Sequence, residues 1–233
     1  AAGLVNESVY SVLLTRDVAG GDVAWIGTIS GGLMRFERGV PKQVTLDNGA
    51  WLMWVMSLLD VSDGKTERIL AGKAGNLVVI ENGKVVRLFR VDDGLPGFDV
   101  TSLLRSVDAD GRPFVWVGTS GGVCRFVDDA LLPAPPSLEH PGGRVTCLAE
   151  TSGPADRRIL WVGTDHGLVR YDGESSATYT MSQGLPTDSV LCLREVRLLA
   201  GLEAARQLVE AGREDRRDQH EARERAGQDR PEA

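Results

Sequence analysis

Short apolar and β-branched runs, broken by glycine-containing turns, fill the chain from residue 3 to about 194. Their phase repeats. Val9, Val55, Val100, Val145 and Val190 are evenly spaced, and two positions after each stands a small residue: Ser11, Ser57, Ser102, Cys147 and Cys192. One position further stand Val12, Leu58, Leu103, Leu148 and Leu193. A strand with one face held to small residues and the other bulky is packed on both sides, as the innermost strand of a radial array is. A second anchor runs in step: Trp25-Ile26-Gly27-Thr28, Trp116-Val117-Gly118-Thr119 and Trp161-Val162-Gly163-Thr164, with a degraded copy at Leu70-Ala71-Gly72-Lys73. The aligned glycines Gly27, Gly72, Gly118 and Gly163 set a period of about 45 residues, the mark of stacked supersecondary units.

Each unit reads as four strands. The tryptophan run has strand composition, and a second run follows it, as in Leu168-Val169-Arg170-Tyr171. The turns between these two contain Gly75-Asn76, Gly121-Gly122 and His166-Gly167, where glycine reaches positive φ without steric cost. Asn82-Gly83 and Asp172-Gly173 are two-residue hairpin signals ahead of a weaker fourth strand. Asp63-Gly64, Asp110-Gly111 and Ser152-Gly153 mark turns between first and second strands. The pattern predicts an all-β fold, a β-propeller of four four-stranded blades at 4–48, 49–93, 94–138 and 139–183. An orphan fifth inner strand in 184–193 implies an incomplete ring with open edges.

Asp93-Gly94-Leu95-Pro96 through Val100 and Gln183-Gly184-Leu185-Pro186 through Val190 lead into inner strands, with a partial copy from Gly3 to Val9. Together with the Trp-(Ile/Val)-Gly-Thr strand and the arginine-aromatic pairs Arg35-Phe36, Arg125-Phe126 and Arg170-Tyr171, this resembles the two-component regulator propeller repeat. The resemblance covers residues 3 to about 194. Two units depart from it: the second lacks the anchor Trp and Thr, and the fourth has Glu139-His140-Pro141 for Gly-Leu-Pro. It implies a periplasmic or extracytoplasmic input module of a membrane-bound sensor, with an oligosaccharide or other small ligand and a membrane and kinase portion elsewhere. The alternative is a protein-interaction scaffold without a small ligand. A propeller enzyme, such as a polysaccharide lyase, is the lesser alternative.

Residues 194–233 change character: no Lys, no aromatic residue, and an excess of Arg, Glu, Asp and Ala. Leu198, Leu202, Ala205 and Val209 keep helical spacing, and the remainder is polar. Three origins fit this tail: a juxtamembrane helix, a partner-binding helix, or sequence read in a shifted frame.

Charge and chemistry narrow the function. A formal net charge of −7 gives no basic footprint for nucleic acid, and no run of about 18 apolar residues spans a bilayer. His140, His166 and His220 are scattered, no His/Cys/carboxylate set has zinc spacing, and Asp108-Ala109-Asp110-Gly111 lacks the later glutamate of a calcium loop. A non-enzyme without metal or cofactor is therefore expected. Cys124, Cys147 and Cys192 read as buried structural thiols. For a ligand, the residues ahead of the anchor valines are the candidates. Trp51 and Trp54 would offer an aromatic platform for a sugar face, with Asp99 and Arg144 as polar neighbours; the competing role for both rings is burial in a weak second blade.

Overall fold

A computed structural model of the chain describes residues 8–17, 19–138, 142–153 and 157–194. Its sixteen strands form four antiparallel sheets. The first holds β1 (Val9–Arg16), β2 (Asp22–Thr28), β3 (Leu33–Glu37) and β4 (Val40–Val44). The second holds β5 (Val55–Asp60), β6 (Arg68–Lys73), β7 (Asn76–Glu81) and β8 (Lys84–Phe89). In the third are β9 (Val100–Val107), β10 (Pro113–Thr119), β11 (Gly122–Val127) and β12 (Ala130–Pro133). The fourth comprises β13 (Val145–Ser152), β14 (Arg158–Thr164), β15 (Gly167–Tyr171) and β16 (Ser176–Tyr179). Strand order follows the chain in every sheet, so hairpins make all the connections within a sheet. At Asn82-Gly83 both residues have positive φ, 50° and 77°, the twist a two-residue hairpin requires.

The inner strands pack in sequence, β1 on β5, β5 on β9 and β9 on β13. Between them lie three apolar cores. Trp25, Leu52, Val55 and Ile69 join the first two blades, Leu70, Leu95, Val100 and Val117 the next two, and Trp116, Leu138, Val145 and Tyr171 the last two. This is the predicted propeller architecture.

The repeated glycine has a steric cause. A Cβ on Gly27 would stand 2.8 Å from Val55 Cβ, and one on Gly118 2.6 Å from Val145 Cγ1. The same holds for Gly72 against Val100 and Gly163 against Val190. Each anchor valine therefore seats on the bare backbone of the preceding blade. Its carbonyl is also tied back: Ser11 Oγ donates to Val55 O (3.1 Å), Thr101 Oγ1 to Val145 O (2.7 Å) and Thr146 Oγ1 to Val190 O. The anchor threonines Thr28, Thr119 and Thr164 donate to the carbonyls of Gly32, Gly122 and Gly167 at 2.9, 2.8 and 2.9 Å, closing the hairpin. Trp25 Nε1 donates to Thr15 Oγ1 at 3.1 Å and Trp161 Nε1 to Thr151 Oγ1 at 2.9 Å. The Gly-Leu-Pro element works at the lead-in. A 3-10 turn over Val91–Asp93 ends at Gly94 (φ 110°), and Leu95 is buried.

Two expectations are corrected. Ser189 to Arg194 forms no strand. Val190 reproduces the inter-blade contacts, its N–H donating to Thr164 O at 2.9 Å, but no second strand lies beside the segment among the described residues. Cys192 is exposed for the same reason, whereas Cys124 is buried and Cys147 half-buried. Burial pushes the Cys124 thiol up to about 12, so the unfolded chain loses this proton first and stability falls as pH rises from about 9. At pH 8 a thiol reagent should modify Cys192 at once, Cys147 slowly and Cys124 only after unfolding. Fast labelling of Cys124 in the native protein would contradict this packing. At the other edge, Val9, Tyr10, Val12 and Leu14 of β1 are exposed. The predicted tail helix and His140 lie outside the described residues. No described helix is long and apolar enough to cross a membrane.

Candidate functional site

Loops that cross from one blade to the next reach the anchor valines at one face of the propeller, where the second strand of each blade also ends. Residues at the valine-minus-one position are fixed there by backbone bonds. Ser8 O accepts from Ile29 N (3.3 Å), Trp54 O from Ala74 N (3.2 Å), Asp99 O from Ser120 N (2.9 Å) and Arg144 O from Asp165 N (3.2 Å). These bonds fix the backbone from which the side chains at these positions project.

Asp99 and Arg144 meet. Arg144 Nη1 donates to Asp99 Oδ2 at 2.7 Å, and Nη2 reaches Met56 Sδ at 3.8 Å. One guanidinium thereby touches blades two, three and four. The backbone N–H of Arg144 donates to Asp165 Oδ1 at 2.9 Å. The Asp165 carboxyl lies below its ordinary range, first through its bond with His166 and then through this N–H. His166 occupies a turn, as its sequence context predicts, with Nδ1 2.7 Å from Asp165 Oδ1.

Trp51 and Trp54 take no part in the core of the second blade. They are 45% and 47% exposed, and Leu52, between them in sequence, takes the buried place. Trp51 bridges Thr45 across the crossover loop. Trp54 adopts φ 58°, a left-handed conformation that costs a side-chain-bearing residue roughly 1–2 kcal/mol. The strain persists because Trp54 N donates to Ile29 O at 2.7 Å while its carbonyl holds Ala74. Trp54 is thus strained, half-exposed and fixed by backbone bonds on both sides.

Two further residues belong to this face and were not picked out by the repeat. Met53 is exposed beside Trp54. Phe98 is 64% exposed, and its ring covers Gly75, whose missing Cβ would lie 3.2 Å from Phe98 Cζ. The repeat anchors are the wrong signal for them, since both stand at a position the sequence leaves unpatterned. Lys73, in the place of the anchor threonine, donates to Ala74 O at 2.6 Å, and burial lowers its pKa. Among the described residues no group of His, Cys and carboxylates is arranged to hold a metal. The arrangement suits recognition by apolar contact with an ion pair at the rim.

Four radial sheets define a β-propeller. No protein-family model and no curated protein matches the chain. Among solved structures it is similar to BBS1N in complex with ARL6DN, soaked with lead, at 10% identity and a TM-score of 0.53, over 76% of this chain and 54% of that one. A mercury-soaked BBS1N–ARL6DN structure aligns at 15% identity and a TM-score of 0.47, over 75% and 55%. The chain thus spans about half the length of the BBS1N chain it matches. At this identity the likeness concerns the fold.

Proposed function

We propose that the chain is a protein-binding propeller that receives its partner on the crossover face, with Trp51, Met53, Trp54 and Phe98 as the apolar contact and Asp99–Arg144 at its margin. The observation that carries this is Trp54, half-exposed and held at positive φ by backbone bonds to Ile29 and Ala74. Tryptophan in such a place is the commonest energetic anchor of protein interfaces. The BBS1N propeller, solved in complex with ARL6DN, supports the reading by precedent of fold. The second reading follows the repeat resemblance: a sensor input module that stacks an oligosaccharide on Trp51 and Trp54. The half-exposure of both rings favours it too.

A photo-crosslinking residue tests the choice when placed at Phe98 and, as control, at the exposed Val86 on the outermost strand of the second blade. The expected result is protein adducts from position 98 and none from 86 in the source cell. Adduct-free position 98 combined with saturable oligosaccharide binding would replace the first reading by the second.

A further inference from the structure

The third strands carry an arginine in register with the anchor tryptophan. Arg35 lies opposite Trp25, Arg125 opposite Trp116 and Arg170 opposite Trp161, while Val79 stands opposite Leu70 in the second blade. At the first junction the next blade supplies a carboxylate. Arg35 Nη2 donates to Glu67 Oε1 at 3.1 Å and Nη1 to Glu37 Oε2 at 2.6 Å, with Glu67 buried. Glu67 stands five positions before the anchor glycine of its blade, and at the same position the fourth blade has Arg158.

The third junction therefore brings two cations together where the first has an ion pair. Arg125 and Arg158 line a cleft of about 240 Å³ with Ser106, Asp108, Trp116, Glu150 and Tyr171. Asp108 Oδ1 is engaged by the backbone N–H groups of Asp110 and Arg112, both at 2.9 Å. Glu150 is spoken for. Its Oε1 accepts from Ser106 Oγ at 2.7 Å and its Oε2 from Arg158 Nη1 at 2.6 Å. Arg125 Nε is shut from solvent without an acceptor among the described residues. Arg35 Nε and Arg68 Nε share that condition, but Arg35 holds Glu37 and Glu67 and Arg68 pairs with Glu81 and Asp129. A guanidinium is a fork matched to a carboxylate. The indole of Trp116 and the ring of Tyr171, 6.4 Å apart and edge to face, supply apolar walls.

We propose that the cleft between the third and fourth blades is a carboxylate-binding site, in which Arg125 receives the acid of an incoming ligand as Arg35 receives Glu67. The acid is either a free small dicarboxylate or a glutamate side chain of a docked peptide. The volume admits one such group, and the cleft opens into a wider trough beside Arg157 and Glu174.

The test is calorimetric titration of the full chain with succinate, with acetyl-Gly-Glu-Gly-amide and with the matching glutamine peptide. At least one acid should bind saturably, Arg125→Met should weaken it tenfold or more, Arg125→Lys should weaken it less, and the glutamine peptide should not bind. Succinate binding assigns a free acid, and binding of the glutamate peptide alone assigns a peptide side chain. Failure of both acids to saturate by about 10 mM, since a dissociation constant above that is weaker than about −3 kcal/mol, overturns the site. Melting of the ligand-free variants gives the second check. Arg125→Met should melt no lower than the parent, whereas Arg35→Met should melt lower. An equal loss in both would mean that Arg125 is internally paired, and the site would fall.

Discussion

Gly72→Ala should be among the most damaging single-methyl changes at the blade junctions, costing about 3 kcal/mol or more. The new Cβ would lie 2.6 Å from Val100 Cγ1 and 2.8 Å from Val100 O, besides meeting Ser57 Oγ. A side chain can rotate away from an added methyl, but a backbone carbonyl moves only with its strand, here the inner strand of the next blade. The second and third blades would have to separate, exposing the Leu70, Val100 and Val117 core. Gly111→Ala is the control. Nothing lies within 4 Å of its Cβ position, and only its φ of 80° opposes the change, so the loss should be about 1 kcal/mol. Urea midpoints of the two variants check this. Equal losses would show that the repeated glycines serve turn or strand conformation and not the seating of the next blade.

Trp25→Ala should cost about 3–5 kcal/mol, the usual range for an aromatic truncated in a core. The ring is fully buried against the second blade, its Nε1 is bonded to Thr15 and Arg35 stacks 5.5 Å from its centroid. Trp161 occupies the same place in the repeat but is only partly buried, because the segment that follows it adds no sheet. Trp161→Ala should therefore cost roughly half as much, in proportion to the area covered. Chemical denaturation with far-ultraviolet detection separates the two. A larger loss at Trp161 would mean that a sheet not seen here covers it.

The propeller was legible because its two anchors are one contact seen from both sides. Val55, Val100, Val145 and Val190 must seat on Gly27, Gly72, Gly118 and Gly163, so neither member drifts and the period survives even where Leu70 replaces tryptophan. The candidate face was legible only in part. Asp99 and Arg144 share a repeat position and a salt bridge, but proximity alone did not distinguish a ligand contact from a brace between blades. For Trp51 and Trp54, burial and display have the same composition. What separates them is that Leu52 takes the inner place and Trp54 has positive φ, features of loop geometry that no pattern of residue types encodes. Phe98 and Met53 were missed on the same ground. The Arg125 cleft was hidden because its significance is a missing partner, visible only by comparing Arg158 with Glu67 across folded junctions. The fifth inner strand was overread, since Ser189 to Leu193 has strand composition but no neighbour to complete a ladder among the described residues.

Trp51 and Trp54 form the centre of the proposed contact surface, and their contribution to stability separates display from burial in the core. The measurement is the unfolding free energy of Trp51→Ala/Trp54→Gly beside the parent chain. Glycine at 54 relieves the left-handed strain and both lost rings are half-exposed, so the predicted change is within about 1 kcal/mol. A loss of about 3 kcal/mol or more, the signature of an aromatic removed from a core, would contradict the account and return both tryptophans to the framework of the second blade.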